Sequence, residues 1–204
     1  GEFAEAEDFF LQAQACAYVD GTSHQLYFNM YFIAEMYYRL GQLDDLEKTC
    51  RQLLSNPKIP FVFRSATQAL LGLSYTERMN YTLAESIIRE ARKGSSIFQN
   101  LDLFLTAEIS WADYLLSTGN ANEAYISISK AIMRAERYVV PRGILLDAYY
   151  CEARIAAFKH SLRDLKILLK KFRIRLQPQD AVHRMQLLHI TAMLHKAEGN
   201  ITLA

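Results

Sequence analysis

Five small residues recur through this chain at nearly even spacing: Ala34, Gly72, Ala112, Ala153 and Ala192, at intervals of 38, 40, 41 and 39 residues. Each lies in the middle of a stretch long enough for a helix. A small side chain lets two backbones approach closely, so this recurrence marks one supersecondary unit repeated about every forty residues. Twelve positions further on, a second series runs Leu46, Ala84, Ala124, Leu165 and Ala204, with Ala6 preceding it at the same spacing. The stretch 105–138 shows the unit most fully. Two amphipathic helix-length segments meet there at Ser117-Thr118-Gly119-Asn120.

Counting residue 105 as position 1, Trp111 and Ala112 fall at positions 7 and 8, Gly119 at 15, Ala124 at 20 and Ala131 at 27. Those are the slots at which a tetratricopeptide-type repeat needs a bulky–small pair, a turn glycine and two close-packing alanines. In the preceding unit, Leu71, Gly72, Tyr75, Tyr81, Ala84, Ile88 and Ala91 fall at positions 7, 8, 11, 17, 20, 24 and 27. The expected fold is therefore all-α: a tetratricopeptide-like α-solenoid of antiparallel helix pairs with a right-handed superhelix. It forms a single domain over 1–204, with four full pairs at about 27–60, 65–98, 105–138 and 146–179 and partial repeats at 1–19 and 181–204. Residues 1–19, with Ala6, Phe10 and Ala13 on one face, read as a second helix without its first. Ala204 reads as the start of a second helix left incomplete. With Gly1-Glu2-Phe3 resembling a cloning remnant, the chain is expected to be a fragment of a longer protein. The forty-residue period exceeds the 34 of the tightest arrays, so helices or connections must run longer here.

Composition narrows the classes. The chain is 51% apolar and carries a net charge of +1, which makes it globular and gives no overall reason to bind a polyanion. The charge is unevenly placed: residues 1–50 hold nine acids and two bases, residues 151–204 four acids and ten bases. No run of eighteen apolar residues exists to span a membrane, and the start is acidic where a secretory leader is basic. Cys16, Cys50 and Cys151 are odd in number and far apart, which favours buried free thiols in a reducing, intracellular compartment.

Nothing supports catalysis, a metal or a cofactor. His183, His189 and His195 are six apart, so on one helix they point in different directions and do not share an ion. There is no Gly-rich phosphate loop, Ser–His–Asp arrangement or HExxH motif. Asp44, Asp45 and Glu47 read as favourable charge at a helix start. Asn80-Tyr81-Thr82 and Asn200-Ile201-Thr202 match a glycosylation pattern but, without a leader, read as chance.

Two features point to partners. A basic segment carries Lys166, Lys170, Lys171, Arg173 and Arg175, flanked by Lys159 and Arg163. Its preferred reading is a solvated face beside the apolar stripe of Leu162, Leu165, Leu168, Leu169 and Phe172. An acidic protein is the functional alternative, and nucleic acid a weaker one because no recognised reading motif accompanies the patch. Second, positions 2, 5, 9 and 12 of each first helix line the concave groove in repeats of this kind. Here they select Phe28, Tyr31, Glu35 and Tyr38, then Asp113, and then Asp147, Tyr150 and Arg154. Tyr and Arg combine contact area with hydrogen bonding and are favoured at interfaces; packing between neighbouring helices is the competing use of the tyrosines. The expected partners are other protein subunits or an extended peptide, with self-association through exposed solenoid ends.

Residues 106–138 followed by GILLDAYYCEARI resemble the C-terminal tetratricopeptide-like region of subunit five of the anaphase-promoting complex. The resemblance lies in an Ala-Asp pair in the first helix, a Gly-Asn turn, an Ala-rich second helix and a long helix after it. IAEMYYRLGQLDDLEKTCRQLL and NYTLAESIIREA are similar in the same register. It implies a non-catalytic scaffold in a nuclear and cytosolic ubiquitin ligase of the cell cycle. The alternative is the ligand- or peptide-sensing helical-repeat domain of a bacterial transcription regulator of the maltose-regulator type, whose repeats have similar periods.

Overall fold

The computed structural model describes residues 5, 8, 9, 12, 23–97, 101–138 and 140–199. Ala6, Phe10, Ala13, Cys16, the Asn200 motif and Ala204, all singled out above, lie outside the described residues. Within them are nine helices of defined bounds, further helical residues at 5, 8, 9 and 12, and no strand. These are α1 (Ser23–Arg39), α2 (Leu43–Ser55), α3 (Phe61–Glu77), α4 (Tyr81–Ile97), α5 (Leu101–Ser117), α6 (Ala121–Ala135), α7 (Arg142–Phe158), α8 (Leu162–Arg175) and α9 (Ala181–Ala197). The fold is all-α and solenoid-like, built from packed neighbouring helix pairs.

The chain divides into two compact units, Gly1–Gln99 and Asn100–Ala204. In the first, α1 pairs with α2 and α3 with α4, and α3 also packs on both α1 and α2. In the second, α5 pairs with α6 and α7 with α8. There α7 packs on α5 and α6, and α9 on α7 and α8. Within each unit, every first helix after the opening one thus touches the first helix and the second helix before it, which is how stacked repeats bury a shared core.

The forty-residue period has a local cause. Helices α1, α3, α5, α7 and α9 are each 17 residues long. The first four begin at 23, 61, 101 and 142, each four residues before the start of the 34-residue frame drawn from the sequence. One extra turn at the front of every first helix lengthens the unit. Pro60 and Pro141 stand immediately before α3 and α7, where a missing N–H costs nothing and a fixed φ favours helix entry.

The turns repeat as strictly as the helices. Gly41, Met79, Gly119, His160 and Gly199 all hold positive φ, between 55° and 83°. Beyond the first four, the next residue's N–H reaches back to the helix: Gln42 to the Tyr37 carbonyl (2.9 Å), Asn80 to Tyr75 (2.8 Å), Asn120 to Leu115 (2.7 Å) and Ser161 to Ala156 (2.9 Å). This left-handed cap satisfies carbonyls that a helix end leaves open.

The small-residue series is where the helices meet. Ala34, Ala112 and Ala153 are fully buried, Gly72 is buried, and Ala192 is half-buried. Leu46, Ala84, Ala124 and Leu165 are fully buried as well. A β-carbon placed on Gly72 would lie 2.2 Å from Cγ1 of Ile88, so α3 and α4 approach within a distance that a side chain would forbid. Cys50 and Cys151 are buried free thiols; burial, with the Glu47 charge adding, pushes the Cys50 thiol up to about 12. No described helix is long and apolar enough to cross a membrane.

Candidate functional site

The groove positions chosen from the sequence fall into two sets, one in each unit. In the first, Tyr31 is half-buried against the core cluster of Leu26, Tyr27, Met30, Leu53, Ile59 and Phe63, and its ring lies 6.4 Å from that of Phe63 on α3. Tyr31 therefore packs between α1 and α3. Glu35 accepts from Arg39 one turn on, at 2.9 Å, and Tyr38 is half-buried. The same positions on α3 are Ala66, Ala69, Leu73 and Thr76, all buried.

The second unit is chemically different. Asp113 on α5 accepts from Arg154 Nη1 on α7 at 2.8 Å, and the Cys151 thiol points to the same oxygen at 3.6 Å. The Tyr150 hydroxyl meets Nδ1 of His189 on α9 at 2.6 Å. Gln186 of α9 donates to Asp147 Oδ1 of α7 at 2.8 Å. The Arg154 guanidinium stands 6.0 Å from the centre of the Tyr150 ring. Asp113, Tyr150 and Arg154, selected separately from the sequence, are thus brought into one connected strip over three consecutive first helices.

The pairing obeys the repeat register. Asp113 and Arg154 both occupy position 9, Tyr150 and His189 position 5, Asp147 and Gln186 position 2. Each group bonds to its equivalent on the next first helix. His189 and Gln186 escaped the sequence reading because the frame was not carried into the last helix. Ala192 at position 8 would have placed them.

Beside this strip, His183 is buried among three helices. Its Nδ1 lies 2.5 Å from Oδ2 of Asp180, which also caps α9 by accepting from the His183 N–H. Its Nε2 stands 3.5 Å from Asp147 Oδ1, too long and too poorly aligned for a full hydrogen bond, so Asp147 acts there as a nearby charge. The Phe172 ring of α8 lies 6.3 Å away. Burial alone lowers the imidazole pKa, but the two aspartates outweigh it and hold it above its ordinary value.

The basic segment divides in two. Lys171 is bound to Glu136 at 3.0 Å and, with Arg175, lies over the Tyr149 ring at 5.5 and 5.3 Å. Tyr149 is fully buried and donates to Glu136 at 2.5 Å. These two cations fasten α8 to α7 and to the end of α6. Lys166, Lys170 and Arg173 instead point to solvent with Arg163, and Lys166 reaches Glu198 at 2.7 Å. A shallow cleft of about 450 Å³ lies between residues 119–123 and Phe158–Lys159, with one carboxylate and one amine in its lining. Among the described residues no three His, Cys, Asp or Glu side chains converge as a metal site.

No protein-family description matches the chain, and no curated protein matches it. Among solved structures, the crystal structure of BtubC (BKLC) from P. vanneervenii superposes with a TM-score of 0.66 at 16% identity, covering 99% of this chain and 85% of that one. At that identity the likeness speaks for the fold alone. It also corrects the resemblance drawn from the sequence. The structural match is to a bacterial protein, not to subunit five of the anaphase-promoting complex, and the ubiquitin-ligase, cell-cycle and nuclear expectations fall with it. The misleading signal was physical: Ala-Asp, Gly-Asn and Ala-rich segments are demanded by close helix packing and are shared by unrelated arrays.

Proposed function

We propose that this chain is a non-catalytic helical-repeat domain that holds a protein partner, a peptide segment or another subunit, on the first-helix face of its second unit. The observation carrying this reading is the register-matched strip of Asp113–Arg154, Tyr150–His189 and Asp147–Gln186. A packing role alone would be served by apolar residues, as it is at the same positions of α3. Instead, half-buried Asp147, Tyr150, Arg154 and Gln186 and exposed His189 are tied by hydrogen bonds to one another or to buried Asp113, and groups already positioned in this way cost less entropy to engage a partner.

Tyr150→Ala and Arg154→Ala are each expected to lower capture of the partner by about five- to thirtyfold, the equivalent of about 1–2 kcal/mol for each anchor. Affinity purification with mass spectrometry, run beside a thermal melt, makes the measurement. Undiminished capture by both variants overturns the assignment of the face. A melting shift with a small ligand and no protein partner would favour the sensor alternative, and turnover in a hydrolase or transferase screen would overturn the non-catalytic reading.

A further inference from the structure

Helix α8 leaves a stripe of unusual composition open to solvent. Arg163, Lys166, Ile167, Lys170, Arg173 and Ile174 follow one another at i, i+3, i+4, i+7, i+10 and i+11, and all six are exposed. Ile167 is 46% and Ile174 71% exposed. Arg163, Lys170 and Arg173 have no partner among the described residues, and Lys166 is held by Glu198. A row of exposed cations, three of them without a partner among the described residues, interleaved with open aliphatic side chains is the complement of an acidic helix face bearing an apolar group.

The chain itself carries such a face. Residues 5, 8, 9 and 12 are helical and exposed: Glu5, Asp8, Phe9 and Gln12. Phe9 is 69% exposed, and Gln12 donates to Asp8 at 2.8 Å across the helix surface. Their spacing repeats that of Arg163, Lys166, Ile167 and Lys170: two like charges one turn apart, then an apolar group beside the second. Every one of the five charged residues among the first twenty is an acid.

We propose that the α8 stripe of one copy docks the Glu5–Asp8–Phe9 face of a second copy, carboxylates meeting guanidinium and ammonium groups while Phe9 covers the open isoleucines. The contact uses none of the residues of the first-helix strip, so it stands or falls independently of the partner-binding reading. Because the two surfaces differ, the contact is heterologous, and its strength rests on charge as well as apolar area.

Light scattering on the full chain at 50 and 500 mM NaCl tests it. The chain is expected to exceed monomer mass at low salt, with association about tenfold weaker or more at high salt. Arg163→Glu/Lys170→Glu/Arg173→Glu and, separately, Glu5→Lys/Asp8→Lys should each be monomeric with unchanged circular dichroism, since all five side chains are exposed. Mixing the two variants should restore association, because each supplies the face the other lacks. A monomer at both salt concentrations, association that survives either reversal, or a mixture that stays monomeric overturns the proposal.

Discussion

Gly41, Met79, Gly119, His160 and Gly199 share left-handed backbone, yet two of the five carry side chains that disfavour it. Met79 is 74% exposed, so its side chain contributes little in return. Met79→Gly and His160→Gly are expected to raise stability by about 1 kcal/mol each, and Gly119→Ala to lower it by a similar amount, in urea titrations. The glycine turns were legible in the sequence because only glycine takes that conformation freely. The Met79 turn was not, since nothing in its residue type announces it. His183 gives a second prediction at this scale. Its unfolded pKa is close to 6.5 and its folded value lies higher, with burial opposing and Asp147 and Asp180 prevailing. The native state therefore binds the proton more tightly. Its contribution is complete below the unfolded pKa and is lost as pH rises through the folded one. Unfolding free energy should fall from pH 6 upward through neutrality, and His183→Gln should flatten that slope.

Among whole helices, the deciding contact is the one that forbids a side chain. Gly72→Ala puts a methyl group against Ile88, itself fully buried, and is expected to cost about 1–3 kcal/mol by overpacking. Ile88→Ala, destabilising alone by about 2–5 kcal/mol, should cost less in the Gly72→Ala background, and a double-mutant cycle measures that coupling. A cycle with no coupling would show that α3 and α4 separate freely. These contacts were readable from sequence because closeness leaves a mark: a position that admits only glycine or alanine in every repeat. The bonds between Tyr150 and His189, or Asp147 and Gln186, leave no such mark. Many polar pairs serve equally well there, and only the repeat register ties the partners together.

Across the molecule the helix-pair plan could be read from the recurrence of small residues, but the division after Gln99 could not. The interval from Gly72 to Ala112 is 40 residues, like its neighbours, because the recurrence reports packing inside each hairpin and carries no mark of where a compact unit ends. The uneven charge was also visible, whereas its sorting was not. Lys171 and Arg175 are spent on Tyr149 and Glu136, and only burial distinguishes them from Lys170 and Arg173 on the same helix. The extra turn opening every first helix has a reach of its own. Four residues add about 6 Å along the axis, roughly two residues of extended chain, and 17 residues span about 25 Å. Under the proposed partner-binding reading, a short linear motif running lengthwise along one such helix would leave its front end bare, so a well-matched ligand would be longer or bulkier than that of a thirty-four-residue array.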